Sequence, residues 1–333
     1  MKKLLGLVVI CIAAAGGLWF AGAAATERVI EGWLSDRRAE GWVITYDSLE
    51  TTGFPTEFRT TFETLNMADP GTGLAWRLPD LTMTQGALQP DRVRVDWPAE
   101  QFVATPFGRV TLAADLFRSD LDVQPARDMA LDAARTELDG LRLESAEGWQ
   151  VTATRGLIDV TRQDEAEATY DATLDARDLT LPGDLVTRLD PGNLLPDAIE
   201  VLRYAAVMEF DRPWDLSALE DARPQPTRIA LAEARADWGV MRFRATGTLD
   251  IADGGRATGE IAIRAENWRA MLNVAESAGV LTSGQRSTAE GAIGFIAGLS
   301  GNPDHIEGNL WFEDGFAFFG VIPIGEAPRL ILR

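Results

Sequence analysis

The side chains that most often carry catalysis are scarce in this chain of 333 residues. His305 is the only histidine, in GLSGNPDHIEG, a turn-rich approach to a strand where a loop histidine is expected. Zinc centres draw on several histidine or cysteine ligands. Cys11 is the only cysteine, so a conventional zinc site cannot be assembled and no disulfide can close within the chain. Carboxylates are plentiful, with 51 acidic residues, but such abundance brings two together by chance. Asp120-Leu121-Asp122 and Asp250 to Asp253 read as strand-end and turn aspartates, and no D-x-[DN]-x-[DN]-G calcium loop is present. A carboxylate hydrolase would need a concave site with perturbed acids, a remote alternative here. Lys2 and Lys3 are the only lysines, which removes Schiff-base and phosphate-loop chemistry from the rest of the chain. A net charge of −20 argues against nucleic acid, whose binding requires basic patches. The expectation is a protein that is not an enzyme, with no cofactor and no metal.

The chemistry left is that of apolar surface. EGNLWFEDGFAFFGVIPIG turns at Asp314-Gly315. A two-residue turn there pairs Trp311 with Phe318, Phe312 with Ala317 and Leu310 with Phe319. Trp311, Phe316 and Phe318 then share one face, and Leu310, Phe312 and Phe319 the other. Such a hairpin is buried on both sides or offers one face to a partner or to lipid. The candidate contact residues are Trp311, Phe312, Phe316, Phe318 and Phe319.

The elements that position this hairpin are mostly strands. From residue 42 to 181, short alternating runs such as FRTTFETLNM and WQVTATRGLIDVTRQ recur between Gly, Pro and Asp-Gly breaks, which predicts an antiparallel meander beginning with a strand over 42–50. Residues 182–198 hold three prolines and predict a short helix and loop at a boundary. The region 182–333 then returns to strand, with helices predicted over 265–279 and 284–301. The stretch 241–266 fixes its own register. Met241, Phe243, Ala245, Gly247, Leu249 and Ile251 alternate with polar residues, as do Ala257, Gly259, Ile261 and Ile263. Both apolar rows share a face only if the loop is the three residues Asp253 to Gly255.

The N-terminus supplies location. After Lys2-Lys3, Leu4 to Ala25 carries no charge. At about 1.5 Å per residue, such a run can cross a hydrocarbon core of about 30 Å as a helix. It reads as a signal-anchor (1–25), with a cleaved signal peptide as the alternative, since Ala21-Gly22-Ala23 resembles a cleavage site. Val29, Ile30, Trp33 and Leu34 continue the helical spacing, so a stalk over 26–41 is expected, ended by Gly41. Two lysines before the run and mixed charges after it orient the body outward. The implied location is a bacterial inner membrane, crossed once, with the body in the periplasm.

Trp42 and Tyr46 in W-x-x-x-Y, then Gly53-Phe54-Pro55, resemble the opening of an uncharacterised family of bacterial envelope proteins. The ending G-x-L-x-x-x-x-G-x-x-x-x-G-x-I-P-I-G, Gly308 to Gly325, is similar to that family's close and distantly to that of AsmA-type proteins. The resemblance carries no catalytic residues. It implies a mainly β (α+β) fold: a long curved antiparallel sheet with a few C-terminal helices packed on it. Its AsmA-like and TamB-like relatives imply an apolar concave face that holds or conducts lipid in envelope maintenance. The alternative is a non-catalytic adaptor with a closed core that binds another envelope protein through the terminal hairpin.

Overall fold

Strands of alternating apolar and polar residues satisfy their backbones by pairing with neighbours of the same pattern. Among the described residues they form one antiparallel sheet of 18 strands. The computed structural model describes residues 2–124, 129–164, 166–193, 195–220, 223–279, 281–299, 302–320 and 322–332. Within those ranges the side chains of 2–15, 219–220, 292, 295–296, 299 and 322–324 lie outside the description, and with them most of the uncharged run from Leu4, Cys11 included.

The chain opens with α1 (Lys2–Ala39), and Gly41 stops it in a positive-φ conformation (φ +101°). β1 (Val43–Thr45) and β2 (Ser48–Thr52) follow along one edge of β3 (Glu57–Asp69). The single strand expected over 42–50 is therefore broken. Its register is unchanged across the break, Thr45 facing Asn66 and Ser48 facing Glu63. The ladder lapses where Thr64 of β3 turns left-handed (φ 52°), opposite Pro79, which has no N–H to give.

β4 (Leu74–Gly86) pairs with β3, and its outer edge is shared by β5 (Gln89–Asp96) and β6 (Glu100–Thr105). β7 (Gly108–Ala113) and β8 (Leu116–Val123) extend from β6 and β5, and both pair with β9 (Leu131–Ser145). From there the sheet is a meander. β10 (Gln150–Arg162), β11 (Thr169–Thr180), β12 (Ala198–Phe210), β13 (Pro226–Trp238), β14 (Met241–Ala252), β15 (Arg256–Glu266), β16 (His305–Glu313), β17 (Phe316–Phe319) and β18 (Ile322–Glu326) each pair with the one before. Segment 182–197, with α2 (Gly183–Leu189), leaves the sheet uninterrupted, because β11 and β12 pair directly from Thr180–Ala198 to Thr169–Glu209. Three further helices are inserted: α3 (Ser217–Glu220), α4 (Trp268–Ser277) and α5 (Ser283–Leu299).

Both hairpins read from the sequence have the expected register. Ile251 faces Ala257, Leu249 faces Gly259 and Gly247 faces Ile261, around Asp253–Gly255. Gly254 and Gly255 take φ of 80° and 78°, which an L-residue with a Cβ adopts only under strain. In the last hairpin Trp311 faces Phe318, Phe312 faces Ala317 and Leu310 faces Phe319. Asp314 and Gly315 are both at positive φ, as a type I′ turn requires.

Two cores lie at opposite ends of the sheet. At the N-terminal end Leu34 of α1 packs with Ile44, Phe62, Leu65, Leu78, Leu81 and Val95, joined at the margin by Ile30 and Trp33. Leu34, Phe62, Leu65 and Leu78 are each at most 3% exposed. Burial of that kind stabilises by about 1.5–3 kcal/mol per side chain. At the C-terminal end Ala265, Trp268 and Ile306 form a smaller cluster with Met271, Leu272, Ile293 and Phe319. The accessible surface is 19510 Å². A globular monomer of 36.2 kDa would expose about 13,400 Å² on the usual scaling. The excess is shared between α1, where Leu18, Phe20 and Val29 are exposed, and sheet surface that is only partly covered.

No helix among the described residues is long and apolar enough to cross a membrane. The uncharged run does not have uniform surroundings, however. Trp19 and Ala23 are each 6% exposed, while Leu18 and Phe20 are 75% and 65% exposed.

Candidate functional site

Because side chains alternate along a strand, register decides what shares a face. Across the meander the register aligns three apolar rows. One runs Leu138, Gly156, Ala176, Leu202, Ala236, Phe243, Ala265, Ile306. The next runs Thr136, Ile158, Leu174, Tyr204, Ala234, Ala245, Ile263, Gly308. The third runs Ala134, Val160, Ala172, Ala206, Leu231, Gly247, Ile261, Leu310. Both cores belong to this same face: Phe62, Leu81 and Val95 lie on it at one end, Ala265 and Ile306 at the other.

The covering helices stop short of the middle. α1 packs on β1 and β2, α4 on β14, α5 on β16, and α2 against α4. On β9 to β13 the large apolar side chains of these rows are partly exposed, Ile158 to 39%. At a strand spacing of about 4.8 Å the bare stretch runs roughly 19 Å from β9 to β13. Tyr204 lies at its centre, and desolvation by its surroundings pushes the phenol above its ordinary value. One end of the strip is closed by aromatics. Tyr170 is 1% exposed, its hydroxyl accepts a hydrogen bond from the Trp214 backbone N–H at 3.0 Å, and Phe210 stands edge-on to both rings.

The opposite face is charged. Asp175, Arg203, Arg235, Arg244, Arg264 and Glu307 form one cross-strand row. Like charges directly opposite destabilise a sheet, and here acids intervene. Asp175 bonds Arg203 and Arg177, each at 2.6 Å, Asp237 pairs with Arg235, and Glu307 meets Arg264 at 2.7 Å. Burial raises the Asp175 pKa, but the hydrogen bonds from Arg203 and Arg177 outweigh it and hold the carboxyl below its ordinary value. The sheet therefore has one oily and one ionic face.

The residues weighed for chemistry are dispersed. His305 Nε2 lies 3.1 Å from Glu307 Oε1 on the charged face. Asp120 pairs with Arg94 and Asp250 with Arg228, both at 2.7 Å. No group of three metal-ligating side chains comes together among the described residues. The terminal aromatics divide between the two faces of their hairpin. The Phe319 ring packs over Gly308 and into the C-terminal core, so closely that a Cβ on Gly308 would stand 2.4 Å from it. Trp311 and Phe316, on the other face, are 47% and 48% exposed with Phe318 half-buried beside them, and Phe312, on the Phe319 face, is half-buried too.

One cluster went unread in the sequence. Trp19 of α1 donates its Nε1–H to the Glu57 carbonyl at 3.0 Å and stacks on Phe58, with ring centroids 5.5 Å apart. Phe54 meets Trp19 edge-on at 5.6 Å and lies parallel to Phe20 at 6.1 Å. Gly22 is where the helix passes Phe58, and a Cβ there would fall 2.7 Å from the ring. A tryptophan, a phenylalanine and a glycine at the end of an uncharged run were the available signal.

Fold and surface together define a mostly β protein: one large antiparallel sheet, helices at both ends of one apolar face, and an uncovered middle. The chain belongs to the family described as an uncharacterised protein conserved in bacteria (DUF2125), whose model matches residues 19–328. No curated protein and no solved structure matches it.

Proposed function

We propose that this protein is a non-catalytic component of the bacterial envelope, held in the inner membrane through Leu4–Ala25 with its body in the periplasm, where it holds or conducts lipid along the apolar face of β9–β13. The observation that carries the reading is the bare middle of that face. Three aligned rows, apolar but for Thr136 at one end, run from β9 to the helix-covered C-terminal end, and contiguous apolar surface left open marks a place for an apolar partner. A strip about 19 Å across is comparable in length to a fatty acyl chain. The open sheet also supports the likeness to AsmA-type and TamB-type proteins. Retention of the N-terminal segment, rather than its cleavage, is supported by Trp19 and Ala23. Removing them would uncover Phe58 and leave the Glu57 carbonyl without its donor.

The test is mass spectrometry of lipids extracted with the full-length protein in mild detergent. Acyl lipid enriched over a membrane-protein control, and lost on Leu174→Arg, is the expected result. Equal lipid in both proteins would remove the strip from consideration. The exposed pair Trp311 and Phe316 favours a second reading, an adaptor that docks an envelope protein on the terminal hairpin. In that case Trp311→Ser removes a protein partner and leaves bound lipid unchanged.

A further inference from the structure

We infer that the end of the sheet carrying the β2–β3 and β4–β5 turns is seated in the bilayer surface, with Phe54 and Leu88 entering it beside Leu18 and Phe20 of α1. The inference rests on the membrane-anchor reading and goes beyond it. A tether would hold the body at any angle, whereas a seat fixes one end of the sheet against lipid.

Helix length sets the depth. A helix needs about 20 apolar residues to cross a hydrocarbon core of about 30 Å. Counted from Leu4, the first uncharged residue after the lysines, the crossing is not complete before about Ala23. Trp19, Phe20 and Gly22 therefore lie at or below the boundary of the hydrocarbon. Those are the residues that the body grips, through Phe58 on Gly22 and Trp19, Phe54 on Trp19 and Phe20, and the Trp19 hydrogen bond to Glu57. Whatever grips the helix at that depth shares the depth. The body meets the helix there with the rings of Phe54 and Phe58, apolar groups that lipid accommodates, and the tryptophan between them is a side chain that favours the membrane–water boundary.

Exposure agrees. Leu18, Phe20 and Phe54 are 75%, 65% and 50% exposed, and the Phe20 ring lies against that of Phe54. The next turn is tied to the same place, since the Ala87 N–H bonds the Thr56 carbonyl at 2.9 Å, and Leu88 at its tip is 95% exposed. Four large apolar side chains from a helix and two turns thus converge on one end, continuous with the uncharged run. At the opposite end of β3, a strand of 13 residues and hence roughly 40 Å away, the β6–β7 turn carries Phe107, 91% exposed but with no such continuity.

The experiment uses full-length protein in which Cys11 is replaced by Ser, so that one cysteine can be placed and labelled with an environment-sensitive nitrobenzoxadiazole dye. Four variants carry it: Leu7→Cys, Phe54→Cys, Leu88→Cys and Phe107→Cys. Each is reconstituted into phosphatidylcholine–phosphatidylglycerol vesicles with and without doxyl-labelled lipid. The expected result is a blue-shifted emission quenched by the doxyl lipid at 7, 54 and 88, and unshifted, unquenched emission at 107. Quenching at 7 alone overturns the seat and leaves the anchor standing. No quenching at 7 overturns the anchor and the seat together. Quenching at 107 equal to that at 88 overturns the fixed orientation. Leu88, being almost wholly exposed, tolerates cysteine without risk to the fold, so the outcome does not depend on Phe54→Cys folding.

Discussion

Ile261 and Thr248 illustrate how much one residue's facing decides. Ile261 lies in the third apolar row at 8% exposure, while Thr248 sits across the hairpin on the ionic face, opposite Glu260. Ile261→Asp buries an unpaired carboxylate and is expected to cost several kcal/mol, at least about 3, in chemical denaturation. Thr248→Asp should cost under about 1 kcal/mol, the difference being the check on the facing. This contrast was legible because a strict period of two leaves one loop length that puts both apolar rows on one side. Asp175 gives the pH dependence. Its folded pKa is held below the ordinary value of about 3.9, so its contribution is complete above that value and is lost as pH falls through the lowered one. Asp175→Asn should therefore lower the urea midpoint at pH 7 and flatten its fall on acidification; an unchanged acid limb would mean that the arginines find other partners. The pair of Asp175 with Arg203 could not be read from the sequence, since those two residues come together only through the register of β11 with β12.

At the scale of elements, the terminal hairpin separates folding from contact. Asp314-Gly315 specifies a type I′ turn from two residues, which is why the pairing of Trp311 with Phe318 was readable in advance. Which face would be covered was not readable, because both are apolar and the choice belongs to α4 and α5. They take the Phe319 side and leave Trp311 and Phe316 outside. Trp311→Ser and Phe316→Ser should each shift thermal stability by under about 1 kcal/mol, whereas Trp268→Ala, at 2% exposure in the adjoining core, should cost about 3–5 kcal/mol. Comparable losses at Trp311 and Trp268 would make the whole hairpin core and end its candidacy as a contact surface. The break between β1 and β2 and the packing of α1 were illegible for a related reason. WVITYDSLE holds no Gly or Pro, and the interruption is imposed by Thr64 on a partner strand. An uncharged helix reads as lipid-facing whatever protein surface it meets, so the grip of Phe58 on Gly22 had no signature of its own.

For the whole molecule the question is whether the sheet closes on itself. Alternation along every strand is equally the pattern of a closed barrel, a sandwich and an open sheet, so the sequence alone left groove and sealed core both standing. What decides is the pairing at the edges and the disposition of the helices. Among the described residues β18 pairs only with β17, and β1 and β2 only with β3, so the two edges of the sheet do not meet. The helices cover the ends of the apolar face and leave β9–β13 bare, and the accessible surface of 19510 Å² is about 1.5 times the globular expectation. A compact chain of 333 residues has a radius of gyration of about 20 Å. An unclosed sheet with two separated cores must exceed it clearly. Small-angle neutron scattering of the full-length protein, with the detergent matched out, measures this directly. A radius of gyration clearly above about 20 Å is expected, and one near 20 Å would mean that the sheet curls shut in solution, burying the apolar rows and removing the surface proposed to hold lipid.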